Sequence, residues 1–82
     1  MSNFLVEVYV PSIGKEFDVF IPTNVKIHEI SELLINAIIR ISDGLFIPEE
    51  SVLCDRNTGK ILDINISADE LKIRNSSRLM LI

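Results

Sequence analysis

One stretch, residues 24–44, constrains the fold most, because it is the only long amphipathic helical pattern in the chain. On a wheel of 3.6 residues per turn, its apolar residues fall on one continuous arc and its polar residues fall opposite. The arc contains Ile27, Ile30, Leu33, Leu34, Ala37, Ile38 and Ile41. The pattern predicts a helix of about four turns that ends at Gly44, with either Thr23 or Asn24 as its N-cap.

The segments around this helix alternate apolar and polar residues with a period of two, which is typical of half-buried strands. Residues 4–10 and 16–21 are two such segments, and the turn between them contains Pro11 and Gly14. We expect them to form a β-hairpin whose apolar side covers the helix. Shorter strands are predicted at 52–54, 60–63 and 78–82. A single turn is predicted within residues 64–71, with Ser67 as its cap and Leu71 in the core.

The order of elements is therefore β-β-α-β-β-turn-β, within one domain that covers residues 1–82. Strands on both sides of a single helix predict an α+β fold, in which a mixed sheet of four or five strands packs on one helix. A chain of this size needs an apolar composition if its core is to form without metals or disulfides. Its hydrophobic fraction of 48% meets that need.

Charge and cysteine content exclude several classes of partner. The net charge is −4 and the cations are scattered singly, which argues against binding to nucleic acid or to an anionic membrane surface. No apolar run approaches the ~20 residues of a membrane span, so we expect no membrane insertion.

The absence of a signal region and the single cysteine, Cys54, indicate a cytoplasmic protein.

The residues that can carry chemistry are few. His28 is the only histidine, with Glu32 one turn later, and these two groups are too few for a zinc site. No basic residue stands beside Cys54 to lower its pKa, so we interpret it as a small strand hydrophobe. We therefore expect no enzymatic activity, no metal and no cofactor.

The chain has more apolar residues than one buried sheet face requires. Leu5, Tyr9, Phe20 and Met80 take the outward phase of their strands. Exposed apolar clusters mark surfaces that bind partners, so these side chains predict a protein-interaction surface. The predicted surface also includes Ile35 and Ile39, which lie on the helix beyond the core arc. It includes Cys54 as well, which we expect near the centre of the outer sheet face. Whether the seven residues form one contiguous patch, and whether an exposed edge strand or apolar face supports a homodimer, stay open.

The element order resembles the β-grasp fold of ubiquitin, and the resemblance extends to the positions of the turns between the elements. Residues 43–63, DGLFIPEESVLCDRNTGKILD, resemble ubiquitin's passage from the helix end through an Ile-Pro turn, a short strand and a Gly-Lys turn. Residues 66–82, ISADELKIRNSSRLMLI, resemble its last turn, polar loop and final strand. This resemblance covers almost the whole chain, but it implies a fold and no particular function.

A narrower resemblance concerns EFDVFIP at 16–22, which a helix follows near Lys26, and the Leu/Ile-rich strand 79–82. Both are similar to the bacterial YukD and EsaB family of small ubiquitin-like proteins. The resemblance implies a cytosolic accessory of the type VII (WXG100, Esx-type) secretion system that acts through protein contacts and is not conjugated. Its partners would be proteins, among them membrane-embedded or ATPase components of the secretion machine.

Three other functions compete with this one. A ubiquitin-like modifier or sulfur carrier needs a flexible tail that ends in Gly-Gly. In this sequence residues 80–82 are Met-Leu-Ile and lie inside a predicted strand. A GTPase-binding β-grasp domain uses a basic second strand, but this one carries Glu16 and Asp18. A β-grasp adaptor unrelated to secretion would share every feature above except the narrower resemblance.

Overall fold

A computed structural model describes residues 3–82, and within that range it contains one helix and four strands. The elements are β1 (Asn3–Val10), β2 (Lys15–Pro22), α1 (Ile27–Ile41), β3 (Leu53–Asp55) and β4 (Arg78–Leu81). The strand order in the sheet is β2-β1-β4-β3. β1 is antiparallel to β2 and parallel to β4, and β3 is antiparallel to β4. The predicted α+β fold, with a mixed sheet packed on one helix, is confirmed.

The core lies between α1 and one face of the sheet. Along β1, the residues Val6, Val8 and Val10 are buried, and the residues between them are more exposed. The predicted alternation of this strand is therefore confirmed, and it fixes which side chains point away from the helix. The buried apolar cluster consists of Val6, Val8, Val10, Ile21, Ile27, Ile30, Leu34, Ile38, Phe46, Leu53, Ala68, Ile73, Leu79 and Leu81.

The helix begins later than predicted. Its N-cap is Lys26, which has extended backbone angles and makes no side-chain cap, so the prediction of Thr23 or Asn24 is wrong. The first N–H groups of the helix are bound by carbonyls of a distant loop: Ile27 N–H donates to Ile66 O at 2.9 Å, and His28 N–H donates to Ile64 O at 3.1 Å. Because tertiary structure satisfies these donors, no side chain is needed to cap them.

The helix ends in a left-handed pair, Asp43 and Gly44, with φ values of 57° and 81°. Asp43 N–H donates to the carbonyl of Arg40 at 3.2 Å, and Gly44 N–H donates to that of Ile39 at 3.1 Å. This is the hydrogen-bond pattern of a Schellman motif. The first left-handed residue is thus Asp43, one position before the predicted Gly44.

The buried side of the helix is rotated relative to the predicted arc. It is centred on Ile30, Leu34 and Ile38, while Ile35 and Ile39 are half-buried against the core. Leu33 and Ile41, which we placed on the arc, are 54% and 55% exposed. The sheet covers only part of the helix circumference, and apolar residues occupy more of that circumference than it can cover.

The strand predicted at 60–63 is reduced to a single bridge between Cys54 and Ile61. Leu62 N–H donates to Leu53 O at 3.0 Å, but the Asp63 carboxylate then accepts the Asn65 N–H at 2.9 Å. That turn directs the chain toward the start of α1 and ends the pairing after one residue.

The capped turn predicted within residues 64–71 is confirmed, and its cap at Ser67 is a capping box. Ser67 Oγ accepts the Glu70 N–H at 3.2 Å, and Glu70 Oε1 accepts the Ser67 N–H at 3.4 Å and its hydroxyl at 3.0 Å. Leu71 follows and packs, half-buried, against the core.

Candidate interaction surface

The residues with reactive side chains lie apart. Among residues 3–82, no three His, Cys, Asp or Glu side chains are grouped so that they could hold a metal ion. His28 and Glu32 are exposed on α1. Cys54 is 0% exposed, and this burial raises the pKa of its thiol, so the thiol is protonated at neutral pH and is a poor nucleophile.

The outer face of the sheet, which points away from α1, begins with an apolar pair. The register of β1 and β2 places Leu5 opposite Phe20, and paired residues share a face. Phe20 is 70% exposed and Leu5 is also exposed. We refer to these two residues as the Phe20 pair.

A second apolar group lies at the other end of the outer face. Tyr9 is paired with Met80, which is paired with Cys54, and Cys54 forms the bridge to Ile61. In the next row Val52 and Ile82 exchange two backbone hydrogen bonds of 2.7 and 2.9 Å. We define the Met80 patch as the accessible residues of these two rows: Tyr9, Val52, Ile61, Met80 and Ile82.

A charged row separates the Phe20 pair from the Met80 patch. The register places Glu7 between Asp18 and Arg78 in this row. Arg56 Nη1 lies 2.6 Å from Glu16 Oε1 and 3.1 Å from Glu7 Oε1. The outward apolar residues of the sheet therefore form two groups rather than one, which answers the question that the sequence left open.

Arg56 connects this row to Glu16, which the register places opposite Tyr9, and this ion pair alters the titration of two groups. The pKa of the Glu16 carboxyl is lowered by the side chain of Glu7 and by the Arg56 guanidinium. The same contact with Glu16 raises the pKa of Arg56. Both side chains are therefore charged at neutral pH, and the row is a polar border to the apolar patch.

The residues that we predicted as an interaction surface differ in exposure. Leu5 and Phe20 are exposed, whereas Tyr9 and Met80 are half-buried on the outer face. Ile35 and Ile39 are half-buried on the helix. Cys54 is the residue that the structure removes from the set, because its fully buried side chain offers no area to a partner. Its short side chain lies in the outer row but below the surface that its neighbours form.

Sequence reasoning missed several exposed apolar residues. Val52, Ile61 and Ile82 share the face of Cys54 and Met80, so continuing the outward phase across all short strands would have found them. The exposure of Leu33 and Ile41 carries no such signal, because periodicity does not reveal how a helix is rotated on its sheet.

No helix within residues 3–82 has the length and apolar character that crossing a bilayer requires.

Comparison with known proteins gives structural likeness without sequence likeness. No protein-family model and no curated protein sequence matches the chain. The ubiquitin-like domain of EccD5 from Mycobacterium xenopi superposes with a TM-score of 0.83 at 17% identity, covering 100% of this chain and 94% of that one. The ubiquitin-like domain of the Mycobacterium tuberculosis type VII secretion system protein ECCD1 gives 0.79 at 14%, covering 100% and 99%.

A third match is a chain of a MycP5-free ESX-5 inner membrane complex, with a TM-score of 0.82 and 17% identity. The match covers 98% of this chain but only 20% of that one. At these identities the likeness concerns the fold, and it establishes that the fold of this chain is ubiquitin-like.

Proposed function

We propose that this chain, whose fold is ubiquitin-like, is a non-enzymatic protein-interaction module of a bacterial type VII secretion system. In this role it is a cytoplasmic accessory or regulatory component, and it is not conjugated to other proteins. Its partners are proteins, among them membrane-embedded or ATPase components of the secretion machine. The proposal places it functionally beside the YukD and EsaB proteins.

The observation that carries the proposal is the Met80 patch. Five accessible apolar side chains lie in two adjacent rows of the outer sheet face, and a charged row borders them. Protein interfaces have this organisation, with an apolar centre and a polar rim, and they are enriched in Tyr, Met and Arg. Ile82 is 54% exposed, so binding would remove substantial apolar area from water.

Two further observations favour secretion as the process. The ubiquitin-like domains that this chain superposes on belong to a type VII secretion protein, ECCD1, and to EccD5, and the superposition covers nearly all of each domain. The residues 16–22 carry the aromatic-Asp-aliphatic pattern that is similar to YukD and EsaB. The two observations are independent, because the first concerns backbone shape and the second concerns side chains.

The experiment is complementation of a strain of the native host from which the gene has been deleted. The test variant is Val52→Glu/Ile82→Lys, which places opposite charges on a directly opposed pair of the Met80 patch and so avoids repulsion within the sheet. The matched control is Ile47→Lys/Ile64→Glu, which introduces the same charges at two exposed residues outside the patch. Circular dichroism of both variants checks that they are folded.

We expect the wild type and the control to restore export of the WXG100 proteins, and the patch variant to fail. Full export with the patch variant would contradict the role of the Met80 patch. Normal export in the deletion strain itself would contradict the link to secretion and would leave a β-grasp adaptor of another process. Mass spectrometry of the host extract tests the remaining point, because protein-linked forms of the chain or a terminal thiocarboxylate would contradict a non-conjugated role.

A further inference from the structure

A groove of about 740 Å³ opens between two loop regions at one corner of the sheet. One wall is formed by residues from Asp55 to Asp63, and the other by residues from Ile66 to Leu79. Ile61 is the single residue that lines the groove and also belongs to the Met80 patch. The groove has the size of sites that hold ligands, which typically span about 300–1,000 Å³.

The base of the groove is apolar. Ile73 and Leu79 are buried beneath it, and Leu62, Ile66 and Leu71 line it as half-buried residues. A ligand that fills this groove must therefore present apolar groups to its base.

Cations outnumber carboxylates on the groove wall, with Lys60, Lys72 and Arg78 against Asp55 and Asp63. Lys60 and Lys72 are exposed and form no ion pair with any of the residues 3–82, although the whole chain carries a net charge of −4. Arg78 contacts Glu7 only at 3.6 Å, and its side chain is 54% exposed. Lys60 and Lys72 are therefore free to meet anionic groups of a ligand.

The two carboxylates of the wall are already engaged. Asp55 Oδ1 accepts the N–H groups of Asn57 at 2.7 Å and Thr58 at 3.2 Å. Asp63 Oδ1 accepts the N–H of Asn65 at 2.9 Å. Each carboxylate is therefore oriented by its own turn, whereas Lys60 and Lys72 are bound by no carboxylate of residues 3–82.

The groove is also bordered by the outer side of the bridge residue Ile61. Lys60 O and Leu62 N–H bond to β3, so the N–H and C=O of Ile61 between them point away from β3, as alternate residues do in an antiparallel pair. These two groups form no hydrogen bond with another of the residues 3–82. An extended chain lying along the groove can pair with them.

We propose that this groove binds an extended peptide segment of a partner protein, with apolar side chains at its centre and carboxylates beside them. The apolar side chains occupy the base, the carboxylates meet Lys60 and Lys72, and the peptide backbone pairs with Ile61. The groove shares Arg78 with the charged row and contains neither residue of the Phe20 pair. The proposal does not require the chain to act in secretion.

The probe is a fluorescein-labelled decapeptide with a Leu-Ile-Leu centre and acidic residues on both sides. Two control peptides replace the acidic residues by Lys, or the apolar centre by Ser. Fluorescence anisotropy is measured on the wild type, on Lys60→Glu/Lys72→Glu, and on Lys15→Glu, which changes an exposed lysine remote from the groove. A ¹H–¹⁵N correlation spectrum of the wild type maps the bound peptide.

We expect the acidic peptide to bind the wild type and Lys15→Glu alike, and to bind the double variant roughly tenfold more weakly, since two ion pairs are lost and reversed. Amide shifts should be confined to residues 60–63 and 71–79, together with the turn at 55–58. No binding up to about 1 mM peptide, equal affinity for the basic peptide, or shifts confined to the outer sheet face would overturn the proposal. A single-stranded decanucleotide that binds more tightly than the peptide would overturn it in favour of nucleic acid.

Discussion

The guanidinium of Arg56 lies 4.3 Å from the centre of the Tyr9 ring. Its Nη1 atom also contacts the carboxylates of Glu7 and Glu16. Arg56 follows β3, whereas Tyr9 belongs to β1 and Glu16 to β2, so one side chain reaches across β4 and connects both halves of the sheet. The same contact forms the border between the charged row and the Met80 patch.

Replacement of Arg56 by Ala should lower the thermal unfolding midpoint, and the loss should be larger at low than at high salt. The reason is that exposed ion pairs are weakened as salt screens them, whereas the stacking on Tyr9 is less sensitive. Differential scanning calorimetry at about 20 mM and about 500 mM NaCl measures this dependence. Lys15→Ala, which changes an exposed lysine at the start of β2, serves as the control, and an equal salt response of both variants would contradict the prediction.

Replacement of Glu16 by Gln should destabilise the protein at pH 7 but have no effect in acid. The pKa of Glu16 in the folded state lies below its ordinary value of 4.5, so its contribution to stability is fully present above pH 4.5. That contribution is lost as the pH falls through the folded-state pKa. Urea unfolding of wild type and variant between pH 7 and pH 3 tests the sign, and a difference that grows on acidification would contradict it. Glu32→Gln, which changes an exposed glutamate on α1, is the control for loss of a surface carboxylate.

Replacement of Ser67 and of Asn24 compares a cap that a side chain provides with a helix start that loop carbonyls satisfy. Ser67→Ala removes an observed capping box and should cost about 1 kcal/mol of unfolding free energy. Asn24→Ala should cost less than about 0.5 kcal/mol, because Lys26 is the N-cap and loop carbonyls bind the first N–H groups of α1. Chemical denaturation measures both free energies of unfolding. A larger loss for Asn24→Ala than for Ser67→Ala would contradict the prediction and would favour Asn24 as the N-cap.

Cys54 should resist modification in the folded protein. Its side chain is fully buried and burial raises the pKa of its thiol, so both access and thiolate formation are hindered. Reaction with a colorimetric disulfide reagent should be complete in denaturant and very slow in buffer. Rapid reaction of the native protein, at a rate close to that in denaturant, would show that the outer row opens.

The sequence predicts the elements whose pattern is local. The alternation around Val6 and Val8 identifies both faces of β1, and Ser67 followed by Leu71 indicates the capped turn, because each pattern depends on neighbours a few residues away. The sheet of four strands and its helix follow from the order of such patterns.

The remaining features depend on contacts between distant parts of the chain. The start of α1 is fixed by carbonyls at 64 and 66, and no local pattern encodes that contact. Leu33 and Ile39 have equal apolar character, so their exposed and half-buried positions are decided only by how the helix is rotated on the sheet. The depth of Cys54 likewise depends on side chains from other strands. The alternating pattern therefore identifies which strand phase points outward but not which residues are accessible there. That these residues bind a partner stays a prediction.

The parallel pairing of Val8 with Leu79 has a consequence for biosynthesis. β4 is translated long after β1, yet it lies between β1 and β3 in the sheet. A ribosome-bound chain that has emerged only as far as residue 77 can form the hairpin of β1 and β2. In that hairpin the edge of β1 that later pairs with β4 has no partner strand, and the side chains of Val6, Val8 and Val10 are exposed to water. Such a nascent intermediate is the form of this protein that chaperones would have to protect, and its completion awaits the last strand.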